Sequence, residues 1–303
     1  MKKKSLMIGS FCAIGCEILY GLSYIFTKQA TLEASAISLL GWRFLFAFII
    51  MSILAGAGFI KIDLKGKSKK PLLLIALFSP IIYFIGETFG ISNTSASESG
   101  AFLACIPVVS LIASTLILKK KPTKQQIVGI LITLVGVLVT VFAVGVSSSF
   151  SFTGYAFLLI AVISYALYSV FVEKADSYSG EEITYVMLAT GAVVFVILAI
   201  IEALNNRTIN QLVSMPFRNK GFLIAVLYQG IGCSILAFFL SNVAISKIGV
   251  NRTSSFIGLA TVVSIVAGAV WLHETFTIWQ IAGTIIIMAG VYIANSKKTQ
   301  DAI

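Results

Sequence analysis

The chain has 303 residues, 58% of them hydrophobic and 11% charged, with a mean hydropathy of +1.00 and a formal net charge of +10. That balance is too apolar for a water-soluble domain and makes lipid the solvent. The positive charge sits mostly in short loops between apolar runs, which excludes a nucleic-acid surface and leaves membrane topology as its meaning.

Apolar runs of the roughly 20 residues that a span requires recur at 7–29, 34–57, 71–91, 99–118, 124–143, 153–173, 183–203, 220–241, 249–271 and 276–295. The expected fold is an all-α integral membrane protein, with ten transmembrane helices arranged as two inverted five-helix repeats. The first run follows Met1-Lys2-Lys3-Lys4 and imitates a signal peptide. Glu17 interrupts it, no small-x-small cleavage site follows, and the run has an internal counterpart at 153–175, so it reads as a transmembrane helix.

On that first helix Ser10, Glu17, Tyr20, Gly21, Tyr24 and Lys28 share one face at about 100° per residue. Glu17 falls near the bilayer centre, where an unpaired acid costs roughly 2.5–3.5 kcal/mol on insertion scales. Arg43, in Gly41-Trp42-Arg43-Phe44, lies about nine residues into the second helix. It is placed to hold a substrate carboxylate, to pair with Glu17 or Glu87, or to snorkel to the outer interface. The third helix carries Tyr83 and Glu87. Glu98 and Arg252 open the fourth and ninth helices at matching positions, where they mark two vestibules or are simply solvated ends.

The fifth helix carries Gly129 and Gly136, and the tenth Gly283 and Gly290; each pair returns to one face and allows close backbone approach. Ser147-Ser148-Ser149-Phe150-Ser151 reads as a linker. The sixth helix presents Tyr165, Ala166, Ser169 and Glu173 on the face equivalent to that of the first. A polar loop is expected at 204–220. On the eighth helix Gln229, with Gly232 and Cys233, forms the only mid-membrane polar face that the pattern gives it. Cys12, Cys16, Cys105 and Cys233 fall within spans without metal-ligand spacing and read as small packing residues.

Residues 71–137 overlay residues 225–291 at a constant offset of 154, without a gap. Ile18, Tyr20, Leu22, Phe26 and Ala30 match Ile163, Tyr165, Leu167, Phe171 and Ala175 at an offset of 145. An odd number of helices per unit makes the second unit enter the bilayer from the opposite face, an arrangement from which alternating access is commonly built. In the second unit Glu17 becomes Val162 and Glu87 becomes Ser241. The scaffold therefore does not require either acid, and each is a candidate for binding an ammonium group or taking up a proton.

With the amino terminus inside, 17 lysines and arginines fall on the cytoplasmic side, against four outside (Lys28, Arg207, Arg218 and Lys220). That asymmetry orients the chain with both termini cytoplasmic.

The run Leu272-His273-Glu274-Thr275-Phe276-Thr277-Ile278-Trp279-Gln280-Ile281-Ala282-Gly283, continuing to Gly290-Val291, resembles the closing signature of an EamA domain of the drug/metabolite transporter superfamily. Trp42-Arg43-Phe44 and Pro107-Val108 are similar to other landmarks of that family. Lys120 stands where the family has an acid at the close of the first unit, and Thr261 where it has a proline. The resemblance covers nearly the whole chain as two units, residues 1–146 (helices 1–5) and 152–303 (helices 6–10). It implies a multi-pass plasma-membrane carrier that usually exports amino acids or related metabolites.

A single histidine, His273, and the lack of any Gly-rich phosphate loop, paired-acid motif or metal spacing argue against an enzyme, a metal site or a cofactor. The expected function is secondary-active export of small metabolites, amino acids or related amphipathic solutes foremost. An organic-cation or drug carrier of the same fold is the alternative. The expected substrate-binding residues are Glu17, Tyr20, Tyr24, Arg43, Tyr83, Glu87, Tyr165, Ser169 and Gln229. The expected partners are a small-molecule substrate and the lipid bilayer, with protons as an option for coupling and no nucleic acid. The expected unit is a monomer.

Overall fold

A computed structural model describes residues 2–93, 102–142, 151–272 and 277–296. The linker residues 147–150, Glu98 and His273 lie outside the described residues, as do the side chains of Tyr24 and Lys28.

The described chain is helical. The elements are α1 (Lys2–Thr31), α2 (Ala36–Gly56), α3 (Lys70–Ala76), α4 (Tyr83–Ser92), α5 (Ile106–Leu118), α6 (Lys124–Phe142) and α7 (Phe152–Lys174). They continue with α8 (Gly180–Asn205), α9 (Ile209–Arg218), α10 (Lys220–Leu227), α11 (Phe238–Ile248), α12 (Val250–Ser254), α13 (Gly258–Leu272) and α14 (Ile278–Ala294). Among the described residues, seven helical runs are long and apolar enough to cross a membrane. Three shorter apolar helices, Ile106–Leu118, Lys124–Thr140 and Ile278–Ala294, occupy the other expected spans.

Several helix starts follow from local chemistry. Ser35 caps α2 by accepting from the Ser38 N–H at 3.0 Å. Ser179 with Glu182 on α8, and Thr277 with Gln280 on α14, form reciprocal capping boxes.

Wide π-type turns interrupt two of the long runs, at Leu77–Ile82 between α3 and α4 and at Tyr228–Ala237 between α10 and α11. In the first, Pro80 withdraws a backbone donor and Ser79 leaves helical geometry. The second holds Gly230 and Gly232 instead. Shifted by the sequence offset of 154, the first segment falls within the second.

The segment expected to be a plain loop, 204–220, holds the amphipathic helix α9. Ile209, Leu212, Val213, Pro216 and Phe217 recur at helical spacing over a length too short to span a bilayer; Pro216 is buried, whereas Val213 and Phe217 are exposed. The Trp42 indole donates to the Leu212 carbonyl at 2.9 Å and ties α9 to α2. Phe217, at the far end of α9, is 83% exposed.

Helices pair through glycine. α2 packs on α8, where Gly41 meets Ala199 and the Phe195 carbonyl; α4 packs on α7, where Gly86 meets the Phe157 carbonyl. α1 rests on α11 and α13, α7 on α4 and α5, and α6 on α14. The centre is aromatic. Phe44, Phe84, Phe195 and Phe238 form one connected ring cluster drawn from α2, α4, α8 and α11.

Candidate functional site

The aromatic centre extends into a polar region. The Tyr83 ring meets Phe84 edge-on at 5.1 Å and Tyr165 at 5.7 Å, and Tyr165 meets Tyr168 at 5.6 Å. Tyr83 and Glu87 lie one turn apart on α4, so the phenol donates to the Glu87 carboxylate at 2.8 Å. Tyr20, from the middle of α1, packs against the same core as Tyr83 and Tyr165.

Arg43 is only 6% exposed. Its Nε donates to the Ser234 hydroxyl at 2.6 Å, and its guanidinium lies 5.3 Å from the Phe44 ring centre and 4.8 Å from that of Phe84. Among the described residues, its Nη2 has no hydrogen-bond partner and no carboxylate forms a salt bridge with it. Arg43 therefore neither snorkels nor pairs with Glu17 or Glu87. α2 also packs against the wide turn at Tyr228–Ala237, which presents Ser234 to the guanidinium. A planar cation held by one hydroxyl and two aromatic faces keeps donors free for a further anion.

Glu17 is 4% exposed, and among the described residues no donor or cation pairs with it. It lies within electrostatic reach of Tyr165 and Cys16, as Arg43 does of Glu87 and Tyr20. Glu17, Tyr20, Arg43, Tyr83, Glu87 and Tyr165 thus gather around one region from α1, α2, α4 and α7.

Other expected residues sit differently. The Ser169 hydroxyl donates to the Tyr165 carbonyl of its own helix at 2.9 Å and is buried. Gln229 donates through Nε2 to the Thr27 hydroxyl and to the Ser23 carbonyl, fastening α1 to the wide turn beside the Phe26–Tyr228 stack. Its Oε1 is buried and unpartnered. Glu173 stands at the end of α7, where it accepts the Val250 N–H at 2.6 Å and pairs with Lys120 at 2.5 Å. It ties the end of α7 to the segment after α5 and to the start of α12.

The reading of Gln229, Gly232 and Cys233 as the only polar face of the eighth span is corrected: Ser234, Ser241 and Asn242 are also buried there. The wide turn shifts helical phase, so a face drawn at regular spacing misses them. Tyr168 donates to Asn242 Oδ1 at 2.7 Å, and Asn242 donates to Thr184 at 3.0 Å, linking α7, α11 and α8. An asparagine within an apolar run was the signal available for this network.

Two open clefts flank the bundle away from the aromatic region. One, lined by Glu33, Ser35, Trp42, Glu202, Thr208 and Gln211, lies at the carboxyl end of α1. The other, lined by Leu6, Met7, Ser10, Phe11, Arg252 and Asn295, lies at its amino end. Glu17 and Tyr20 stand between them along the helix.

A family model described as the EamA-like transporter family matches residues 7–142 and 152–296. The chain is 32% identical to the uncharacterized transporter YcxC of Bacillus subtilis, over 95% of this chain and 94% of that one. It is 22% identical to a probable amino-acid metabolite efflux pump of Salmonella typhimurium, over 93% of each. A solved crystal structure has the same fold, with a TM-score of 0.76 at 16% identity over 96% of this chain and 98% of the other. Apolar helices of spanning length, a buried polar centre and two matched segments covering most of the sequence converge on one assignment: the chain belongs to the EamA-like transporter family.

Proposed function

We propose that this protein is a secondary carrier that exports small amphipathic metabolites, amino acids foremost, by alternating access between two inverted five-helix repeats. The observation that carries this reading is the buried region holding both signs of charge among aromatic walls. Arg43 keeps an unpartnered donor for a substrate carboxylate. Glu17 or Glu87 receives the ammonium group, and Tyr20, Tyr83 and Tyr165 enclose the apolar body.

The repeat reading is supported by the pairing of helices. α1 with α11 and α13 exchanges with α7 with α4 and α5 when the halves are swapped, while α2 with α8 and α6 with α14 map onto themselves. Rocking of one half against the other would expose the central region to each cleft in turn. The lysine and arginine asymmetry supports a plasma-membrane orientation with both termini inside, and the unpaired Glu17 supports proton coupling. The Salmonella relative named a probable amino-acid metabolite efflux pump agrees with the substrate class.

The aromatic walls and acids also favour organic cations through cation–π contact, whereas Arg43 repels them. Purified protein in liposomes separates the readings. Uptake of zwitterionic amino acids, competed by other amino acids and not by quaternary amines, is the expected result. Transport of quaternary amines alone would replace this reading with the cation carrier, and product formation without solute movement would replace it with an enzyme.

A further inference from the structure

At the amino end of α1 the second cleft holds about 320 Å³ and is open to the surroundings. Its mouth is apolar: Met7 and Phe11 are exposed, and Leu6 and Ile14 complete that wall. Arg252, on α12, also lines it, yet is only 4% exposed. Among the described residues its Nε and Nη2 have no hydrogen-bond partner and no carboxylate pairs with it. Ser10 and Asn295 supply the other polar side chains of the wall. The Asn295 amide nitrogen donates to the Ser255 hydroxyl at 2.8 Å and to the Val291 carbonyl at 2.9 Å, so Asn295 is held in place.

A guanidinium withdrawn from water with donors unmatched is expensive unless something supplies acceptors. The wall is built to stay put, because Gly9 brings α1 into direct contact with Ile248 and Lys247 of α11. A fixed cation behind an apolar mouth suits an anionic group carried on an apolar body.

We propose that this cleft is an anion-binding site for a carboxylate or phosphate borne on an apolar body, with Arg252 as its charged ligand. It is separate from the central region around Arg43 and assumes nothing about the transported solute. The anion has two sources, a free carboxylate solute and a phospholipid headgroup, and these are told apart by the probe that binds.

The full-length protein in a neutral maltoside detergent is titrated with octanoate, with short-chain phosphatidylglycerol, and with octanol and phosphatidylcholine as uncharged and zwitterionic controls. The readout is the thermal unfolding midpoint. At least one anion should stabilise the wild type saturably while the controls do not. Arg252→Gln should raise its half-saturating concentration about tenfold or more, the loss of a charge-assisted contact. Ser10→Asp, which sets a competing carboxylate in the same wall and leaves Arg252 intact, should do likewise and serves if Arg252→Gln fails to fold. Response to octanoate alone assigns the site to a solute, and response to phosphatidylglycerol alone to a lipid. No saturable response of the wild type, equal half-saturation in wild type and Ser10→Asp, or equal stabilisation by octanol overturns the proposal.

Discussion

The Gly290 carbonyl stands so close to Gly129 that a methyl group added at Gly129 would lie 2.6 Å from it, and a methyl at Gly290 would lie 2.7 Å from the Gly129 carbonyl. Gly136 and Gly283 repeat the relationship one heptad away, at 2.8 Å and 2.7 Å. Helices α6 and α14 therefore meet backbone to backbone along their length. In lipid, where apolar side chains gain nothing by leaving solvent, such close packing is what holds helices together.

Gly290→Ala should therefore destabilise the protein by about 1–3 kcal/mol, since backbone atoms cannot yield as a flexible side chain would. Gly290→Leu should abolish folded protein. Thermal unfolding and yield after size-exclusion chromatography measure both. Wild-type behaviour of the leucine variant would contradict the pairing of α6 with α14.

Arg43→Lys keeps the charge but loses the planar fork that bonds Ser234 while lying over Phe44 and Phe84. The variant should fold, and its transport of amino acids in liposomes should fall about tenfold or more. Substrates without a carboxylate should be affected far less. Equal losses for both kinds of substrate would make Arg43 a structural cation.

Glu17→Gln preserves size and removes the charge, and a neutral side chain is less costly in the membrane. The variant should insert and fold, with active transport sharply reduced and its pH dependence gone. Counterflow of labelled against unlabelled substrate should persist if Glu17 couples protons, and should vanish if it binds the ammonium group. Transport and pH dependence like those of the wild type would move both roles to Glu87.

Single cysteines introduced in 144–151 should react with an impermeant thiol reagent added outside intact cells, and those in 61–70 should not. The reverse preference would invert the orientation derived from the basic residues.

Hydropathy, charge asymmetry and internal repetition are properties of the chain itself. The all-helical membrane character, the family and the packing role of Gly129, Gly136, Gly283 and Gly290 were accordingly readable before any coordinates. Glu17 was legible as a buried acid for the same reason: its depth follows from its place in an apolar run.

The destination of Arg43 was not legible. Snorkelling, pairing and substrate binding are all open to an arginine nine residues into a helix, and its burial beside Ser234 follows only from the packing of α2 on a wide turn distant in sequence. Asn242 and Tyr168 meet across helices distant in sequence, through a segment whose turns depart from the regular helical period. The partners of Glu173, Lys120 and the Val250 N–H, come from segments distant in sequence, which periodicity along α7 does not reveal. Amphipathic periodicity at 209–218 was present in the sequence, but a search for runs of spanning length passes over a ten-residue helix. Regular spacing determines which residues share a face of one helix. Which faces meet is decided by the packing of all of them together.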